Sequence, residues 1–93
     1  MIMERWIRQR CHEYVRHGGK VARRNMVKRL IAALEDIATN EHGVKQPTQI
    51  GRAHIHRYYH RREELSETTL RDHFYAFCLL WKLLGRTGEP PKP

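Results

Sequence analysis

Long apolar runs are missing from this chain. None of its 93 residues belongs to a stretch near the ~20 apolar residues that cross a bilayer, and no secretory apolar segment follows Met1. Neither a membrane span nor export is therefore expected. Cysteine is almost as scarce. Cys11 and Cys78 are too few for the disulfide framework of a small secreted domain. Both sit in apolar helical contexts, which predicts buried, reduced thiols and a cytoplasmic protein. The chemistry of catalysis is thin as well. There is no Gly-rich phosphate loop, no nucleophile elbow and no pair of carboxylates in an apolar setting. Tyr58, Tyr59 and Tyr75 have nothing local to activate them and read as packing or hydrogen-bonding residues. His56 and His60 have a legal metal-ligand spacing of i, i+4, but no third ligand accompanies them. No catalytic residue, metal or cofactor is expected.

Acid is the last thing in short supply. Ten Asp and Glu face 18 Lys and Arg, for a formal net charge of +8. The excess is concentrated, because residues 1–30 hold nine Lys and Arg against Glu4 and Glu13 alone. A concentrated basic segment is the footprint of a polyanionic partner, although a solvated basic surface gives the same composition. Charged residues at 30% and apolar residues at 40% describe one globular domain rather than a disordered chain. A domain of this size buries roughly 60–65% of its unfolded surface, enough for one core without a deep, dry cavity beside it.

Apolar spacing predicts an all-α fold, a compact bundle of four helices over about 2–16, 20–39, 49–62 and 66–84. Trp6, Ile7, Cys11, Tyr14 and Val15 mark the first, which Gly18-Gly19 ends. Met26, Leu30, Ala33, Leu34 and Ile37 stripe the second, which Asn40 and Gly43 end. Thr48, after Pro47, is the expected N-cap of the third, with Ile50, His54, Ile55 and Tyr58 inward. His54 is expected to bond a backbone carbonyl. Ser66 caps the fourth, whose stripe is Leu70, Phe74, Phe77, Trp81 and Leu84, and Gly85 stops it. Leu79 and Leu83, on the back of this helix, are expected to be enclosed by the first helix; exposed, they would form a docking patch. The domain is expected to cover residues 1–86. The remainder, 87–93, is rich in proline and reads as a linker or frayed end outside the core.

Two clusters suit phosphate. Lys20, Arg23, Arg24 and Lys28 open the second helix, where free N–H groups and the positive dipole end add to their charge. Gly18 and Gly19 would let a duplex backbone approach closely. Ser66, Thr68, Thr69, Arg71 and Tyr75 open the fourth helix, offering hydroxyls with an Arg one turn in. Ser66 as a mere cap and Arg71 paired with Glu67 are the plainer alternatives.

The stretches "HGGKVARRNMVKRLIAALEDIA" and "IGRAHIHRYYHRREELSETTLRDHFYAFCLLWKLLGR" together resemble the N-terminal core-binding domain of phage-type tyrosine recombinases, or integrases. The family has a SAM-like four-helix fold. The matching elements are Gly18–Lys20 with Arg23 and Arg29, His54-Ile55, Leu65 to Leu70, and Phe74 to Gly85, spanning about residues 4–86. The resemblance implies a DNA-binding domain that clamps a recombination site, with Lys20, Arg23, Arg24, Ser66, Thr68, Thr69 and Arg71 toward DNA. It implies double-stranded DNA as partner, with a catalytic recombinase domain and sister protomers beside it. The family's catalytic Arg/His/Tyr set has no counterpart here, so the part implied is non-catalytic. A protein-interaction bundle and an RNA-binding helical module are the competing expectations.

Overall fold

The stripes predicted for the second and fourth helices meet each other in the computed structural model, which describes residues 2–93. Four α-helices form: α1 Ile2–Arg16, α2 Lys20–Asn40, α3 Arg52–Arg61 and α4 Glu67–Leu83. A short 3-10 turn, Pro47–Gln49, precedes α3, and the described residues contain no strand. The protein is a small all-α bundle. Its long helix α2 touches each of the other three. That position follows from composition. Val27, Leu30, Ile31, Ala33, Leu34 and Ile37 are all buried, a stripe wide enough to serve several neighbours. Ile7 of α1, Ile55 of α3, and Phe77 and Leu80 of α4 are each fully buried in the same core. Each such side chain contributes about 1.5–3 kcal/mol over leaving it in water. Tyr58 and Tyr59 of α3 set their rings edge-on to Phe77, with centroids 5.5 and 5.8 Å away.

Leu79 is buried and Leu83 half-buried, but the helix that α4 packs against is α2 rather than the first helix. The expected ends of α4 also form. Ser66 Oγ accepts the Thr69 N–H at 3.2 Å. Gly85 adopts φ +69°, and the N–H groups of Gly85 and Arg86 return to the carbonyls of Lys82 and Trp81. This pair of bonds is a Schellman stop, and its left-handed residue is tolerated because glycine has no Cβ.

Four expectations are corrected. Thr48 does not cap α3 but lies inside the 3-10 turn, and Gly51 is the residue before the helix. Ile50 is extended, at φ −72° and ψ 126°, so the two helical pieces cannot join. His54 bonds no carbonyl there; its Nδ1 accepts the Gly51 N–H at 2.9 Å and so caps its own helix. Of the two thiols, Cys11 is buried but Cys78 only half so; both are free, and burial pushes both above the ordinary thiol range.

The fourth correction concerns the tail. Pro90 and Pro91 are buried rather than frayed. The Arg52 guanidinium donates to the Glu89 carbonyl at 2.8 Å and the Tyr59 hydroxyl to that of Pro91 at 2.9 Å. Arg86 lies over the Trp81 ring and donates to the carbonyls of Ile50 and Thr48. The tail thus straps back along α3 toward the first turn of α4, where Pro93 shares a depression with Thr68 and Arg71. Proline suits this role. It has no N–H to satisfy and little chain entropy to lose. The radius of gyration, 12.5 Å, is the ~12 Å of a packed globule of this length, which agrees with a tail folded onto the body.

Candidate nucleic-acid interface

The basic half of α3 is neutralised inside the fold. Asp36 of α2 accepts from Arg61 at 2.7 Å and from Arg62 at 2.5 Å. Glu41, just past α2, accepts both nitrogens of a bidentate Arg57 at 2.8 Å. That hydrogen-bonded guanidinium holds the Glu41 carboxyl below the usual range. The net positive charge left over is at the other end of α2.

There the Gly18-Gly19 turn folds α1 back on α2 and opens a groove between them of about 420 Å³. Cys11, Val15 and Val27 form its floor. Lys20, Arg24 and Lys28 stand along one wall, one helical turn apart. All three are exposed, and among the described residues no carboxylate lies within ion-pair distance of any of them. Gly19 offers no side chain to cap the first turn, so N–H groups there stay open as well. Arg8, His12 and Arg16 of α1 stand along the opposite wall. The expected cluster omitted this second row. Its signal, cationic or titratable residues at every fourth position of α1, was present in the sequence.

Arg23 is placed differently. It is half-buried, its Nη1 donates to the Tyr14 carbonyl at 2.7 Å, and its guanidinium lies 4.6 Å from the Tyr14 ring centroid. Tyr14 belongs to the last turn of α1, so Arg23 caps that helix and ties it to α2. Gly18 is part of the same device. A Cβ there would come within 2.2 Å of Arg23 Nε. The glycine makes room for this guanidinium. Gly18→Ala is therefore expected to cost roughly 1 kcal/mol through the lost Arg23 contacts, offset in part by the stiffer unfolded chain. In an Arg23→Ala background the same change should be neutral or stabilising. A double-mutant cycle by urea unfolding measures the coupling, expected near 1 kcal/mol. Additive effects would separate the glycine from Arg23.

The α4 cluster is dispersed. Ser66 Oγ is spent on the cap and on a 3.0 Å bond to the half-buried Thr69. Thr68 and Arg71 are exposed in a shallow depression with Glu67, Leu70 and Pro93. Arg71 forms no ion pair with Glu67 or with any other acid among the described residues. Tyr75 is 49% exposed, with its ring beside Phe74. No residue lines both this depression and the α1–α2 groove.

The remaining candidates turn inward or stand alone. The Tyr58 hydroxyl and His73 Nδ1 share a hydrogen bond of 2.8 Å, and burial together with Arg29 and Arg62 lowers the His73 pKa. Burial raises the phenols of Tyr58 and Tyr59. His56 and His60 are exposed, and among the described residues no three His, Cys, Asp or Glu side chains gather to hold an ion. No helix among them is long and apolar enough to cross a membrane.

Comparison with models of known protein families finds no match, and comparisons with curated proteins and with solved structures likewise find none.

Proposed function

We propose that this chain is a DNA-binding helical module that holds a duplex through its phosphate backbone, as the non-catalytic core-binding part of, or a partner to, a phage-type site-specific recombinase. One observation carries the DNA-binding reading. Lys20, Arg24 and Lys28 stay unpaired in a row along α2, while Arg57, Arg61 and Arg62 are tied to carboxylates. Cations left unpaired side by side repel one another, and an arriving phosphate chain relieves that repulsion while releasing its own counterions. The recombinase context rests on the resemblance of the sequence elements and their order, and on nothing else. The competing protein-docking reading loses its basis, since Leu79 is buried and Leu83 half-buried.

The test is the affinity for a 20-bp duplex between 50 and 200 mM salt, read by fluorescence anisotropy. Three phosphate contacts give a log–log slope of about −2.7, so affinity falls by at least ~40-fold over that range. A flat response would overturn the proposal. A structured RNA that displaces the duplex at lower concentration would move the partner to RNA.

A further inference from the structure

We infer that the groove holds one phosphodiester strand of the duplex lengthwise, and that Arg8 and Arg16 of α1 bind it as directly as the α2 row does. This rests on the DNA-binding reading and adds its geometry and two contact residues. The six residues 8, 12, 16, 20, 24 and 28 form two facing rows, each spaced by four. A step of four residues rises about 6 Å, so each row runs for about 12 Å, and with the reach of the long Arg and Lys side chains past either end the five cations of the two walls cover roughly five phosphates of one strand. The axes of packed helices lie about 8–10 Å apart. Helices that close are in contact along the floor, so the charged side chains that rise from each helix rim a furrow that seats a single sugar–phosphate ridge, not a whole duplex. The arrangement also argues against α2 entering the major groove by itself. Its cation row faces the cleft that α1 walls, so α1 would have to enter with it. The apolar floor offers nothing for a phosphate to bond, which leaves the charged rims to hold the strand from both sides.

Arg8 and Arg16 have partners already, Glu4 at 2.8 Å and Glu13 at 3.5 Å. Both pairs are well exposed, at 53% and 43% for Arg8–Glu4 and 65% and 67% for Arg16–Glu13. Exposed i, i+3 and i, i+4 pairs of this kind hold weakly, and a phosphate chain competes for the cation. His17 also faces Glu13, at 3.0 Å, and remains to partner it when Arg16 turns away.

The experiment compares three proteins against the same 20-bp duplex and a single-stranded 20-mer across 50–200 mM salt: wild type, R8Q/R16Q and R5Q/R10Q. Arg5 and Arg10 lie on α1 outside the groove, so the last variant removes equal charge elsewhere. With five cations engaged, the wild-type duplex slope is about −4.5; R8Q/R16Q brings it to about −2.7 and weakens binding roughly 50-fold at 0.1 M salt. R5Q/R10Q leaves the slope unchanged. A wild-type slope near −2.7 that R8Q/R16Q does not alter would overturn the inference and leave the DNA-binding reading standing. A flat wild-type slope would overturn both. Equal losses from the two double variants would reduce the effect to net charge and overturn the groove. Tighter binding of the single strand than of the duplex would overturn the duplex as its source. The substituted side chains are exposed, and circular dichroism of each variant confirms the fold before titration.

Discussion

Asp36→Ala is expected to lower the melting temperature by roughly 10–20 °C. The carboxylate is mostly buried, 17% exposed, and accepts three hydrogen bonds from two guanidinium groups, Arg61 and Arg62. Hydrogen bonds to charged groups contribute about 1.5–3 kcal/mol each. Arg61 and Arg62 are 27% and 38% exposed, so water recovers part of that on removal, and a total near 2–3 kcal/mol is expected. The damage exceeds the lost bonds. Two like charges on adjacent residues would face each other beside α2, and Arg62 already carries a buried Nε with no partner, its guanidinium 5.5 Å from the Tyr58 ring centroid. A domain of this size loses about 4–8 °C per kcal/mol. Asp36→Asn keeps the shape and one acceptor, and should cost about half as much. Arg57→Ala breaks the pair in which the cation is 54% exposed, and should shift the transition little. Calorimetry of the three variants checks the order. A shift under about 3 °C for Asp36→Ala would mean that apolar packing alone joins α3 to α2.

That network illustrates which parts of the fold could be read from the sequence. Helices α1, α2 and α4 were legible because their determinants are local: stripes at helical spacing, a glycine pair between two helices, Ser66 three residues before Thr69, and Gly85 past the last apolar residue. The start of α3 was not. Pro47-Thr48 has the local pattern of a cap, but the backbone there obeys distant partners. Arg86 bonds the Thr48 and Ile50 carbonyls from 38 and 36 residues away, and Gln49 folds its side chain back onto the N–H groups of Lys45 and Gln46. The tail misled for the same reason. Its composition resembles that of unfolded linkers, and only the position of Tyr59 and Arg52 on α3 determines that it docks.

The candidate site divides in the same way. That cations open α2 is plain from the sequence. Where each one points depends on α1, which the hairpin brings alongside. Arg23 and Arg24 are neighbours in the chain, yet the first meets Tyr14 and the second lines the groove. A helix turns 100° per residue, so adjacent side chains cannot share a face. Arg29 diverges likewise. It lies close enough to His73 of α4 to depress that imidazole, and it lines no part of the groove. Of the five cations between residues 20 and 29, the fold commits Lys20, Arg24 and Lys28 to one wall.

K20Q/R24Q/K28Q is accordingly expected to bind a 20-bp duplex roughly 500-fold more weakly than wild type at 0.1 M salt. Each lost phosphate contact removes about 0.9 from the log–log salt slope, which amounts to about eightfold at that concentration. Three together give about 3.7 kcal/mol at 1.4 kcal/mol per tenfold. The loss should be nearly uniform across duplex sequences, because backbone contacts carry no base information. The fold should survive. All three side chains are exposed and unpaired, and glutamine keeps good helix propensity. R23Q supplies the contrast. Its guanidinium is already engaged by Tyr14, so its removal should lower stability by about 1 kcal/mol while leaving the salt slope unchanged. Swapped outcomes, with R23Q flattening the slope and the triple variant keeping wild-type affinity, would place the phosphate chain at the α1–α2 corner instead of along the groove. Binding energy would then come from a residue that also holds the hairpin together, and DNA would stabilise the fold through it. With the α2 row as the contact, duplex affinity and the integrity of the α1–α2 corner are set by different side chains, Lys20, Arg24 and Lys28 for the first and Arg23 with Gly18 for the second, and each can be changed without the other.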